Sequence, residues 1–151
     1  MFTARALQAA DAHLAYPLVA CRYPAVTLQR WTNYVRRTEN GEAGEHLVCM
    51  VDARERRHAV FGYNVATLSP AARRLHVAHI ATLRLIGDAI HRALHETLDR
   101  LASEHKCREV ILEPWRPLGG APDRAPLSQS APSAARVLTI DFGLAPLGAL
   151  N

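Results

Sequence analysis

Six consecutive residues, Arg84-Leu85-Ile86-Gly87-Asp88-Ala89, carry the densest chemistry in the chain. They follow an apolar run with strand character and open a long amphipathic stretch with helix character. A strand that delivers a glycine turn to a helix N-terminus aims free backbone N–H groups at one point, and the helix dipole adds to them. That arrangement suits a phosphate or a pyrophosphate.

The elements that position this turn are read from periodicity on both sides of it. Phe2 to Leu7 alternates as a short strand, and Asp11 is placed to cap a helix from about Ala12 to Cys21 that Pro24 helps to end. Thr27 is a second N-cap, followed by a helical stripe of Leu28, Trp31, Tyr34 and Val35. Thr38 to Glu45 is a polar loop. His46 to Asp52 and His58 to Leu68 form a hairpin across the charged turn Ala53 to Arg57, Ser69-Pro70 starts the next turn, and Leu75 to Leu83 is a further strand. From Gly87 to about His105 the period switches to 3.6: Ile86, Ile90, Ala93, Leu94, Thr97, Leu98 and Leu101 share one face. Arg108 to Glu113 is a short strand ended by Pro114, and Pro117 to Ser133 is a Pro-, Gly-, Ala- and Ser-rich loop. The last segment reads either as a helix over Ala134 to Phe142 or as a strand over Val137 to Leu144.

Composition bounds what such a framework can do. The 151 residues suit one domain with one core. No apolar run approaches the roughly 20 residues that span a bilayer. Met1 to Ala10 lacks a basic start followed by an apolar block, so the expectation is a cytoplasmic protein with no membrane partner. Cys21, Cys49 and Cys107 are widely spaced and form no CxxC pair, which predicts reduced, mostly buried thiols. The net charge of +4 is dispersed over short groups (Arg36-Arg37, Arg54 with Arg56-Arg57, Arg73-Arg74), and only 6% of residues are aromatic. Basic residues interleaved with aromatics are missing, so no nucleic-acid partner is expected.

Other constellations weigh less. His91 and His95 lie four apart on the polar face of the long helix, and His95-Glu96 begins an HExxH pattern that Asp99 breaks, so a solvated face is expected and no metal. Trp31 and Tyr34 read as helix packing; Trp115, ahead of the Pro- and Gly-rich loop, is the better pocket candidate.

In its order of elements the chain resembles the GNAT-type N-acetyltransferase superfamily. The family signature, Arg/Gln-x-x-Gly-x-Gly/Ala between the fourth strand and third helix, is matched by Arg84, Gly87 and Ala89. Arg5 to Asp11 looks like the family's first strand and helix start, and Phe142 to Gly148 like its late glycine turn. The resemblance spans about residues 2–148. It implies an α/β fold in three layers, with a mixed, mostly antiparallel sheet flanked by helices.

The resemblance also implies a chemistry. The backbone amides of Arg84, Leu85, Ile86, Gly87, Asp88 and Ala89 would hold the pyrophosphate of coenzyme A. His79, Ile80 and Ala81 would splay from the next strand near Ile111–Glu113 and pair with pantetheine. The reaction would be direct attack of a neutral amine on the thioester of acetyl-CoA, which requires orientation, proton removal and a stabilised oxyanion. The backbone N–H near His79–Ala81 is the implied oxyanion donor. His76 and His79, one even and one odd, would face opposite sides of the strand, so one of them would face the cleft as a base. A packed or surface histidine is the other reading of each. Glu113, acting through water, is the comparable candidate.

Three positions depart from the family pattern. Leu85 stands where a glycine is frequent. Asp88 stands where an apolar residue is common, as an outward first-turn carboxylate or as a charge against the ligand. Thr139 occupies the place of a tyrosine often used as general acid, leaving that role empty or to Tyr63 or water. The sequence ends at Asn151 with little room for further strands, so either Val137–Leu150 provides a shortened edge or a partner chain completes the sheet, and a homodimer is expected. The functional expectation is acetyl transfer from acetyl-CoA to a primary amine selected by Cys21–Glu45 and Trp115–Ser133. The alternative is a catalytically silent GNAT-like module that binds CoA or only a partner chain.

Overall fold

The computed structural model describes residues 1–82 and 89–112. A first strand, β1 (Phe2–Ala6), leads through a 3-10 turn at Ala9–Asp11 into helices α1 (Ala12–Arg22) and α2 (Leu28–Glu39). Strands β2 (His46–Asp52), β3 (Arg57–Ser69) and β4 (Ala72–Thr82) follow, then helix α3 (Ala89–Glu104) and strand β5 (Glu109–Leu112). The five strands lie in the order β1-β2-β3-β4-β5, antiparallel except for the parallel pair β4 and β5.

The sheet is apolar on both faces because both are covered. In β2, Leu47, Cys49 and Val51 pack with Ala15, Val19, Trp31 and Val35 of α1 and α2. Val48 and Met50 pack instead with Ile90, Leu94, Leu98 and Leu101 of α3. Alternation within one unbroken apolar run therefore feeds two cores. Trp31 anchors the first core: it is 1% exposed, and its Nε1–H donates to the Ala12 carbonyl at 2.8 Å. That bond joins α2 to the start of α1 and satisfies the indole's buried donor.

Most expected elements are present, with local differences. Thr27 caps α2, its Oγ1 accepting the Arg30 amide at 3.2 Å, but Leu28 leaves the expected stripe and is 43% exposed. Asp11 makes no cap hydrogen bond. The 3-10 turn holds it at φ −99°, ψ 0°, where a capping residue needs extended backbone, and its carboxylate lies 3.9 Å from Arg57. The strand expected from Leu75 begins at Ala72, because Ala66 and Thr67 pair with Arg74 and Arg73 in a tight hairpin. Arg73, exposed, and Arg74, half-buried against Glu109, read in sequence as turn residues. No helix among the described residues is long and apolar enough to cross a membrane. Gly87 and Asp88, expected to open the long helix, lie outside the described residues, as do Glu113, Trp115 and everything after them.

Candidate functional site

The ladder between β3 and β4 shifts register twice, between Thr67 and Ser69 beside the turn and between Val60 and Gly62, two pairs from the far end. Val60 pairs with Ala81 and Gly62 with Ala78, so Phe61 faces two residues, His79 and Ile80. This is a β-bulge, with one extra residue on β4. A bulge of this kind removes backbone groups from the ladder and re-aims them. On the other side of β4, pairing with β5 runs from Arg74↔Glu109 to Val77↔Leu112, short of the bulge among the described residues.

The bulge also changes the phase of β4. Gly62 and its partner Ala78 lie on the α1/α2 face with Leu47, and Val60 and Ala81 lie on that same face. Ala78 and Ala81 are three residues apart, an odd spacing that a regular strand would send to opposite faces. Odd and even numbering therefore cannot assign His79 from His76. His76 pairs with Asn64, next to Ala78 on the α1/α2 face, and is half-buried.

Beside them lies Glu45, which precedes β2. A Cβ added to Gly62 would come within 3.2 Å of Glu45 Oε2 and 3.3 Å of its Cδ. The carboxylate thus rests on the strand where a side chain is missing. Sequence reasoning placed Glu45 at the end of a polar loop, inside the Cys21–Glu45 segment expected to select the acceptor, and singled out no role for the residue itself. The one signal was a glycine inside a strand pattern, which marks close approach.

Of the expected site residues, His76, the His79–Ile80 bulge and Ala81 are brought together on β4. Ala89 is the exposed first residue of α3. Arg84, Leu85, Ile86, Gly87, Asp88 and Glu113 lie outside the described residues.

Several other groups are settled by their surroundings. Tyr63 pairs with Val77 and packs on the α3 side, its ring 5.2 Å from that of His46 and 5.8 Å from that of His105. It is on the opposite face from Glu45 and His76. Burial, with the nearby Glu104 charge, pushes its hydroxyl up. Burial pushes the Cys49 thiol up to about 12, outweighing the nearby Arg57, and Cys107 rises for the same reason. Neither is an activated thiolate. Cys21 is exposed, and none of the three cysteines is in a disulfide. His91 and His95 are exposed, and no group of three or more metal-ligating side chains occurs among the described residues.

At the β2–β3 turn the Asp52 carboxylate accepts from the amides of Arg54 (2.8 Å) and Arg56 (3.0 Å), from Arg56 Nε (2.9 Å) and from His58 Nε2 (3.0 Å). Desolvation alone would raise its pKa. The hydrogen bonds from His58, Arg56 and Arg54 outweigh it and hold the group well below the ordinary carboxylate range.

Solved acetyltransferases share this architecture. Ribosomal-protein-alanine N-acetyltransferase from Brucella melitensis biovar Abortus 2308 superposes with a TM-score of 0.59 at 16% identity, covering 79% of this chain and 83% of that one. Glucosamine-6-phosphate N-acetyltransferase from Arabidopsis thaliana gives 0.56 at 16% identity, over 75% and 82%. Aminoglycoside antibiotic 6′-N-acetyltransferase from Acinetobacter baumannii gives 0.57 at 11%, over 82% of each chain. The fold is the GNAT acetyltransferase fold. At these identities the likeness is one of architecture. No family model and no curated protein matches the sequence. Within the GNAT fold, the bulged strand and the start of α3 are the elements that the sequence motif joins.

Proposed function

We propose that the protein transfers the acetyl group of acetyl-CoA to a primary amine. The observation that carries this reading is the bulge at His79–Ile80, set in the fourth strand of an acetyltransferase fold. Acetyl-CoA is the acyl donor and supplies an activated thioester. The residues present suit it: amides released from the ladder at the bulge are donors for a pantetheine arm and for a carbonyl oxygen that gains negative charge. The sequence motif Arg84–Ala89 would hold the pyrophosphate through backbone N–H groups.

The amine must reach the thioester unprotonated. His76, on the α1/α2 face beside Ala78, is a candidate to take that proton, with His79 and Glu113 as the further candidates. The nitrogen then bonds to the carbonyl carbon, the carbon–sulfur bond breaks, and the departing thiolate takes up a proton. Cys49, protonated and buried, is unsuited to carry the acetyl group, which supports direct attack. We read the chain as one such domain, cytoplasmic and homodimeric; a monomer by light scattering at micromolar concentration would count against the dimer.

Titration calorimetry with acetyl-CoA, followed by free-thiol release over a panel of primary amines, tests the reading. Binding with amine-dependent thiol release supports transfer. Binding without release from any amine favours the silent module, and no binding at millimolar acetyl-CoA sinks the proposal.

A further inference from the structure

The sheet face under α3, opposite to His76 and Ala78, holds a cavity of about 230 Å³. It opens between the end of β1, the start of β2, Tyr63 of β3 and the last turns of α3. Its floor is apolar, since Ala4, Val48 and Leu101 belong to the α3-side core. Thr97 also lines it, but its hydroxyl already donates to the Ala93 carbonyl at 2.8 Å. Exposed His46 and Arg100 stand at the mouth. At about 30 Å³ per water the space holds about eight waters, or one ring with a small substituent.

The charged side chains around this cavity have one sign. Its ionisable lining is Arg5, His46, Tyr63 and Arg100, with no carboxylate among them. Arg5 is tied to Glu55 at 2.8 Å. Arg100 Nε lies 3.8 Å from Glu104 Oε1, too far for a hydrogen bond, and both side chains are more than half exposed. An exposed i,i+4 pair at that distance gives up its arginine at little cost. Burial and the Glu104 charge keep the Tyr63 hydroxyl protonated, and therefore a donor. The Tyr63 ring lies 5.2 Å from that of His46 and 5.8 Å from that of His105, so one wall is aromatic. A guanidinium and a hydroxyl donor suit a carboxylate. The apolar floor suits an anion with an apolar body, which a phosphate lacks.

We infer that this cavity binds a small aromatic carboxylate, its ring over Val48 and Leu101 and its carboxylate on Arg100 at the mouth. The site is separated by the sheet from His76 and Ala78, so it stands apart from the acetyl-transfer reading and takes a ligand that is neither donor nor acceptor. Glu104 competes with that ligand. It draws Arg100 along the helix, and its own charge opposes the incoming one.

The test titrates the full chain with benzoate, followed by calorimetry and by amide chemical shifts. Wild type is expected to bind with a Kd of about 1 mM or tighter, with the largest shifts at Ala4, Val48 and Leu101. Benzamide, the uncharged isostere, is expected to bind about 10-fold more weakly, and cyclohexanecarboxylate and inorganic phosphate also more weakly than benzoate. Arg100→Gln raises the benzoate Kd by about 10- to 100-fold, the range for a hydrogen bond to a charged group. Glu104→Gln lowers it, a change that a merely structural role for Arg100 would not produce. Ala4→Leu fills the cavity and abolishes binding, while the circular dichroism stays that of wild type. Arg92→Gln, an exposed arginine on α3 outside the cavity, leaves the Kd unchanged and controls for the lost charge. No benzoate binding at about 10 mM overturns the inference. So does benzamide, cyclohexanecarboxylate or phosphate binding as tightly as benzoate. A benzoate Kd unmoved in Arg100→Gln, an exposed position whose loss leaves the core intact, overturns it as well.

Discussion

Asp52 Oδ2 lies 3.0 Å from His58 Nε2, and the two residues tie the end of β2 to the irregular start of β3. An ionised carboxylate only accepts, so His58 Nε2 carries the proton of this bond. The pKa of Asp52 is depressed in the folded protein. Its contribution to stability is therefore complete above the ordinary carboxylate value of about 3.9 and is lost as pH falls toward the lower folded value. The wild-type urea midpoint is expected to fall more steeply than that of Asp52→Asn between about pH 5 and pH 2, with the two converging at the acid end. Parallel curves across that window would refute the role given to Asp52.

Trp31 joins α2 to α1 through its bond to the Ala12 carbonyl. Trp31→Phe keeps most of the ring but leaves that buried acceptor without its partner. The expected loss is about 2 kcal/mol in urea unfolding at neutral pH. An unchanged midpoint would mean that the carbonyl finds another donor.

The bulge permits a test that leaves the sheet register intact. Deleting Ile80 keeps Val60 opposite Ala81 and Gly62 opposite Ala78 and sets His79 opposite Phe61. The shortened chain is expected to fold with unchanged circular dichroism. Amine-dependent thiol release is expected to drop by about 100-fold or more, the usual loss on removing an oxyanion donor. Retained activity in a folded deletion variant would remove the bulge from the mechanism.

The three thiols differ in exposure. Cys21 is exposed, whereas Cys49 and Cys107 are buried and protonated. An aromatic disulfide reagent at about pH 8 is expected to titrate one thiol quickly in the native protein and all three in denaturant. Fast reaction of a second thiol would contradict the packing of β2 or of the segment after α3.

The elements were legible because each carries its own period. Leu47 to Val51 reads as a strand whichever face its residues serve, and Ile90 to Leu101 reads as a helix stripe. Pairing was not legible in the same way. Nothing in His79-Ile80 marks a bulge, since neither residue is glycine or proline; the irregularity exists only relative to Phe61 on another strand. Glu45 acquires its setting only once Gly62 is placed beside it. Asp11 misled because residue type favours a cap while the 3-10 turn before α1 imposes a different backbone. The Arg84–Ala89 motif drew attention to the donor end of the site. The register shift on β4 has no linear signature, and the approach of Glu45 to β3 is marked in the sequence only by a glycine inside a strand pattern.

The hairpin of β3 and β4 carries a consequence for how the molecule assembles. Its strands are joined across Pro70 and Ala71, and it contains Gly62, His76, Ala78 and the bulge together. Closing so short a connection costs little chain entropy, so this pairing is available early, before the distant edges β1 and β5 are recruited. The phase change in β4 is thereby written into the most local contact of the sheet. The later strands dock onto a ribbon whose irregularity is already set.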